Sequence, residues 1–344
     1  MTRFIQLHLL VSYPPANLNR DDSGQPKTAH MGGSERLRIS SQSLKRAWRT
    51  SSSFQQALAG NIGTRTKRLG KEVFDALVDA GIGEKQAADW AGKIAGVYGA
   101  VKKDQSLEIE QLVHVSPEER ASLDALVSTL AQEKRAPMDE ELDTLLHTQA
   151  AVDIAMFGRM LASKTKYNSE AAVQVAHAIG VHASAIEDDY FTAVDDLNRD
   201  DPSAAHIGET GFAAAVFYLY LCIDRDLLSR NLGYNEDMTQ KALRALAEAA
   251  LKVAPSGKQN SFASRAYAHF AMAEKGPQQP RSLSLAFVRP VAGNDYIREA
   301  TDALQTVRDN MDKVYGSCAD ARYQLDVLKG EGRLDELLDF VAEE

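Results

Sequence analysis

From Arg3 to Tyr13 hydrophobic and polar positions alternate, with Phe4, Ile5, Leu7, Leu9 and Val11 among polar neighbours. A period of two predicts a half-buried strand. Pro14 and Pro15 end it, and a polar loop from Ala16 to Arg36 follows, broken by Gly24, Pro26, Gly32 and Gly33. Leu37 to Ile39 reads as short and extended. The period then lengthens: Leu44, Ala47, Trp48, Ser51, Phe54 and Leu58 form one apolar stripe at helical spacing. Ser40 or Ser41 stands where this helix needs its N-cap, since a serine hydroxyl accepts from a free amide in the first turn.

From Asn61 to about Ser163 the pattern predicts helix throughout and no strand. Ser116-Pro117-Glu118-Glu119 is a capping box with proline at the first helical position. Gly81 and Gly83 mark a stop and a turn, and Met138 to Leu161 reads as one long helix. A helix is expected over Ser169 to Ile179. Tyr190 to Leu197 reads as extended, Asn198 to Ser203 as a reversal, and Phe212 to Ile223 as a central strand. Further on, helices are predicted over Glu236 to Val253, Asp295 to Tyr315 and Leu334 to Glu343. Strands are predicted over Arg265 to Glu274 and Ser284 to Val288. This order predicts an α+β fold, a sheet with helices packed mainly on one face, interrupted by a helical block.

Composition places the chain among ordinary globular proteins, with 44% hydrophobic and 25% charged residues. The longest apolar run, Phe212 to Ile223, contains Tyr218 and Tyr220 and falls short of the roughly 20 residues of a membrane span. No membrane association is expected. The first residues alternate like a strand, and no small-residue cleavage site follows them. Cys222 and Cys318 are far apart and lack C-x-x-C spacing, which argues against a disulfide framework or a zinc site and fits a reducing cytoplasm.

The net charge of -9 argues against nucleic acid, but the charge is uneven. Between Pro26 and Thr50 stand Lys27, Arg36, Arg38, Lys45, Arg46 and Arg49 against the single acid Glu35. Arg65, Lys67, Arg68 and Lys71 make a second basic knot. From Glu72 to Ala150 acids outnumber bases 16 to 7. Gln42, Lys45 and Arg49 share one helix face, away from Leu44 and Trp48. With Arg38 beside the Ser40-Ser41 start, that face suits a phosphate backbone, because free amides and the helix dipole favour an anion there. A surface helix with solvated lysines is the alternative.

Other candidates divide in the same way. An exposed Phe191 on a hairpin could wedge between bases; a buried one would be core. Asp21 and Asp22 could hold magnesium for phosphodiester cleavage, or could form an Asx turn. The histidines are scattered; His177 and His182 lack a metal pattern and suit a helix face and a strand start. No P-loop, dinucleotide glycine motif or nucleophile elbow is present. The aromatic octet of ordinary RNA-recognition motifs is missing too, which excludes their base-stacking sheet mode.

The run LNRDDSGQPKTAHMGGSERLRISSQSLKRAWR, Leu18 to Arg49, resembles the CasC family, the repeated backbone subunits of the type I-E CRISPR Cascade complex. Val152 to Met160, Asp189 to Leu197, His206-Ile-Gly, Gly211-Phe and Phe217-Tyr218 extend the resemblance, which is weak from Glu72 to Ala150 and after Glu274. It implies a modified RNA-recognition-motif (ferredoxin-like) palm over residues 1–60 and 164–344. A helical fingers insertion over 61–163 and a β-hairpin thumb at about 186–210 complete the implied plan. It implies a cytoplasmic, non-catalytic subunit with no metal or cofactor, whose bound ligand is CRISPR RNA. Copies would polymerise along the guide beside other Cascade subunits, and thumbs would kink the guide as it pairs with target DNA.

Residue by residue, Lys27, Ser40, Gln42, Lys45 and Arg49 match palm positions that hold guide phosphates. Lys67 or Arg68 falls near a guide contact. Phe191 and Thr192 match the thumb tip. Lys164 to Asn168 corresponds to a loop that helps separate bases, but its sequence departs from the family pattern. The rival reading is a metal-dependent ribonuclease using Asp21 or Asp22, as related backbone subunits of other CRISPR types cut RNA with a loop aspartate.

Overall fold

The computed structural model describes residues 3–104, 106–147, 151–162, 164–194 and 204–343. Its strands are β1 (Phe4–Ala16), β2 (Thr28–Met31), β3 (Ser34–Ile39), β4 (Thr64–Thr66), β5 (Val113–Val115), β6 (Val173–Val175), β7 (Ala178–Gly180), β8 (Glu187–Val194), β9 (Ala204–Asp224), β10 (Ala268–Gly276) and β11 (Ala321–Asp326). Its helices are α1 (Ser41–Arg49), α2 (Ser52–Ala57), α3 (Leu69–Asp79), α4 (Glu84–Tyr98), α5 (Pro117–Glu133), α6 (Asp139–Asp143), α7 (Val152–Phe157), α8 (Arg225–Asn231), α9 (Glu236–Lys252), α10 (Gln259–Phe262), α11 (Tyr296–Tyr315) and α12 (Leu334–Ala342). The fold is α+β. The chain divides into two compact units, one of Met1–Phe54, Gln174–Arg225 and Leu243–Glu344, the other of Gln55–Val173 and Asp226–Ala242.

The first unit is built on a sheet ordered β11-β10-β1-β9-β7-β3-β2, with antiparallel pairing of β1 to both β9 and β10. β1 is not the half-buried strand its alternation predicts. Ile5, Leu7 and Leu9 are fully buried on one face, and Gln6 and His8 are buried on the other. β1 is therefore covered on both faces. The polar positions survive burial because each is partnered. Tyr220 OH and the Arg281 amide donate to Gln6 Oε1 at 2.9 and 2.8 Å. Beside them Leu10, Tyr218, Phe270 and Met272 pack against Ala300 and Leu304 of α11.

His8 sits between Tyr218 OH at 2.8 Å and Glu274 Oε2 at 3.3 Å. Glu274 is fully buried and is gripped by Arg281 and by Arg322, whose Nε lies at 2.6 Å. Burial pushes the Glu274 carboxyl up, but hydrogen bonds from His8, Arg281 and Arg322 outweigh this and hold it well below the usual carboxylate range.

β9 is twenty-one residues long and serves two surroundings. Its second half, Ala213 to Asp224, lies between β1 and β7. Its first half, Ala204 to Phe212, pairs with β8 and carries exposed Ile207 and Glu209. β8 realises the extended stretch from Tyr190 as far as Val194. The predicted reversal at Asn198 to Ser203 lies outside the described residues.

The second unit buries Leu69, Val73, Leu77, Trp90, Ile94, Leu123 and Leu130 from α3, α4 and α5 in one core. The capping box forms as read, with Ser116 accepting from the Glu119 amide and Glu119 from the Ser116 amide. The block is not wholly helical. β4 and β5 pair antiparallel through Thr64, Thr66, Val113 and Val115, β-branched residues in runs too short to show a period.

Other expectations shift. Met138 to Leu161 is not one helix: α6 is a single turn and more, and α7 ends at Gly158, whose φ is 82°. The helix expected over Ser169 to Ile179 is instead β6 and β7, because strand pairing to β3 and β9 overrides local propensity. Ser284 to Phe287 is a 3-10 turn that buries Phe287, not a strand. The first helix breaks into α1 and α2. Thr50 Oγ1 and Ser51 Oγ bond back to Arg46 O and Trp48 O, both at 2.8 Å, and compete with the helical ladder.

Candidate nucleic-acid interface

The start of α1 is organised by three neighbouring segments. Ser40 is the N-cap, extended at φ −67° and ψ 143°, and its Oγ accepts from the Ser43 amide. Its own amide donates to Asn19 Oδ1 at 2.8 Å, which ties the cap to the start of the β1–β2 loop. The first turn holds no acid, and the last turn holds Arg46 and Arg49. Gln42 is exposed, and Lys45 and Arg49 are half-buried on the same flank.

The β2–β3 hairpin delivers two more cations. The Arg38 amide donates to Lys27 O at 2.8 Å, and Arg38 Nε donates to Thr28 O at 3.3 Å, so Lys27 and Arg38 leave adjacent backbone positions. β7 pairs with β3 at Arg38 and Ile179, which sets the preceding turn beside α1. That turn carries His177. Its Nδ1 accepts from the Ser41 amide at 3.3 Å and lies 3.2 Å from Arg38 Nη1. Partial desolvation, then the charges of Arg38, Lys27 and Lys45, hold the His177 imidazole below its ordinary value. Three side chains chosen from the sequence thus converge on one ring at a helix start, an arrangement that favours an anion.

Arg36 of the same basic run does not join them. It is fully buried, with Nη1 donating to Gly180 O at 2.9 Å, Nη2 to Phe287 O at 3.2 Å and Nε to Ser34 Oγ at 2.9 Å. Asp21 forms the Asx turn. Its Oδ1 accepts from the Ser23 amide, Ser23 Oγ and the Gln25 amide at 2.9, 2.8 and 2.9 Å. The Ser23 hydroxyl chiefly, with these amides, holds its carboxyl below the usual range. Asp22 is exposed beside it. Among the described residues no three His, Cys, Asp or Glu are grouped to hold a metal.

The β8–β9 hairpin carries Tyr190, Phe191 and Thr192, all exposed. Phe191 is 42% exposed and so is not a core residue. Lys67 and Arg68 belong to the second unit: Lys67 O accepts from the Ile109 amide at 2.8 Å, and the Arg68 amide donates to Thr66 Oγ1 at 2.9 Å. In the Lys164–Asn168 loop, a 3-10 turn, Lys164 pairs with Asp143 at 3.0 Å and Asn168 Oδ1 accepts from the Leu161 amide at 2.6 Å.

Residues 5–336 match the CT1975-like protein family. The chain belongs to that family. No curated protein matches it. Among solved structures, a chain of a CRISPR RNA-guided surveillance complex in a pre-nicking state is similar at TM-score 0.83 and 27% identity, over 98% of this chain and 100% of that one. A chain of another CRISPR RNA-guided surveillance complex is similar at TM-score 0.74 and 23% identity, over 98% and 99%, a likeness of fold alone. The family match bears out the CasC-type resemblance carried by Leu18 to Arg49.

Two members of this cluster in the CT1975-like chain escape a reading of the sequence. His177 is not on a helix face; it lies in the turn between β6 and β7, 132 positions after Lys45. Asn19 looks like an ordinary loop residue until its side chain is seen to hold the Ser40 amide. His182, by contrast, is structural: it is buried, stacks on Tyr296 at 4.2 Å, and accepts from the Val216 amide at 3.3 Å.

Proposed function

We propose that this chain is a repeated, non-catalytic backbone subunit of a type I-E CRISPR Cascade complex in the cytoplasm, and that it binds CRISPR RNA. The observation that carries the reading is the convergence of Lys27, Arg38 and Lys45 at the start of α1, in a chain of this family. Lys27, Arg38, Ser40, Gln42, Lys45 and Arg49 hold guide phosphates, with Lys67 and Arg68 as further contacts. Such contacts grip the backbone whatever the base, so pairing with target DNA does the reading.

In this reading residues 1–60 and 164–344 form a palm of RNA-recognition-motif (ferredoxin-like) type, and 61–163 form the fingers. The hairpin at about 186–210 is a thumb that kinks the guide with Phe191 and Thr192. The exposed hairpin, outside the buried part of β9, supports that role. Copies of the chain line up along one guide, beside other Cascade subunits. Among the described residues no helix is long and apolar enough to cross a membrane.

The test is Lys45→Ala with Arg49→Ala, expressed with guide RNA and the partner subunits. The double variant should retain less RNA on size exclusion, and its binding should depend less steeply on salt, by about one unit of slope for each lost phosphate contact. Undiminished RNA retention would remove the site assignment.

A further inference from the structure

We propose that His177 is a further guide contact, whose uncharged imidazole donates from Nε2–H to a phosphate oxygen lying at the start of α1. The inference rests on the RNA-binding reading above and adds a residue of different chemistry to it.

The protonation state follows from geometry. Nδ1 faces two groups that can only donate, the Ser41 amide at 3.3 Å and the Arg38 guanidinium at 3.2 Å. Nδ1 therefore carries no proton, the ring is neutral, and Nε2 carries the hydrogen. The ring is exposed, and among the described residues Nε2 has no partner. The charges facing it come from three elements: Arg38 on β3, Lys27 before β2, and Lys45 on α1.

A phosphate drawn to these cations meets a donor that adds no further cationic repulsion. Lysines reach a phosphate from many positions, because the ammonium is a point charge on a flexible stem. A ring anchored through Nδ1 offers one direction, so His177 would fix where the phosphate sits while the cations supply attraction.

The test uses the full chain, a fluorescein-labelled single-stranded RNA of guide length, and dissociation constants across a salt series. Asparagine reproduces the Nδ1 acceptor but not the outer donor; glutamine reaches as far as Nε2 but lacks the inner acceptor. His177→Ala and His177→Asn should each lose about tenfold in affinity, and His177→Gln should bind close to the parent. The salt slope should stay unchanged in all three, because a neutral donor releases no counterion, whereas Lys45→Ala should lower it by about one. If His177→Asn binds like the parent while His177→Gln does not, the ring is only a brace for Arg38 and Ser41. A salt slope reduced in His177→Ala would mean a charged ring. Either result overturns the proposal. Unchanged binding by Lys45→Ala would instead reject the RNA-binding face itself.

Discussion

Phe191 lies across Gly208, its partner in the β8–β9 ladder: a Cβ at Gly208 would stand 2.3 Å from the ring tip. The ring rests on the one residue type that leaves room for it, and Phe191 is still 42% exposed. A glycine inside a strand marks such a close approach. Gly208→Val should therefore push the ring off the hairpin. We expect this variant to lose the regular spacing of nuclease-protected RNA fragments, as Phe191→Ala should, with little change in melting temperature. A parental protection pattern in Gly208→Val would separate the ring's position from any role on RNA.

Glu274 meets three basic side chains in the sheet, His8, Arg281 and Arg322. Replacing it with alanine leaves Arg281 without its carboxylate, Arg322 with Asp312 alone at 2.7 Å, and His8 without its acceptor. Removing one partner from a buried ionic cluster typically costs about 3–5 kcal/mol. Urea unfolding of Glu274→Ala should show a loss of that order, and a loss below about 1 kcal/mol would mean that water replaces the carboxylate.

The same cluster sets a pH dependence. Burial, opposed by the hydrogen bond and charge of Glu274, keeps His8 below its ordinary 6.5. As pH falls below that value the unfolded chain binds a proton that folded His8 refuses, so stability falls. Glu274, depressed from its ordinary 4.5, adds a second loss as pH drops below that value. Urea midpoints measured from pH 8 to 5 should decline toward acid, and less steeply in His8→Gln. Equal slopes in the two proteins would place the effect elsewhere.

Asp21 separates the scaffold from a nuclease. Its Oδ1 already serves two amides and a hydroxyl in the loop before Lys27. Asparagine keeps an oxygen at that place, so Asp21→Asn should assemble on RNA like the parent, and Asp21→Ala should assemble less well. Magnesium-dependent RNA cleavage by the parent, abolished in Asp21→Asn, would reverse the non-catalytic reading.

Much of the interface was legible locally. The serine cap, the i, i+3, i+7 spacing of Gln42, Lys45 and Arg49, and the basic run around them are short-range patterns that α1 realises directly. The capping box at Ser116 is another, since all its partners lie within one helical turn. Local pattern and structure part where long-range pairing decides. Residues 169–179 are alanine-rich and read as helix, yet they pair with β3 and β9. Arg36 reads as one more surface cation, yet it is spent on the carbonyls of Gly180, Phe287 and Val288.

The sequence alone therefore determined the cations and their helix, the α+β class, and the family, because each is written in neighbouring residues. Tertiary structure alone decided which of those cations meet. It brought His177 to Arg38 and Ser41 across more than a hundred positions of chain, and it buried His8 against Glu274. The physical reason is that a strand's partner, and hence what lies beside its polar side chains, is set by distant segments that local periodicity does not record.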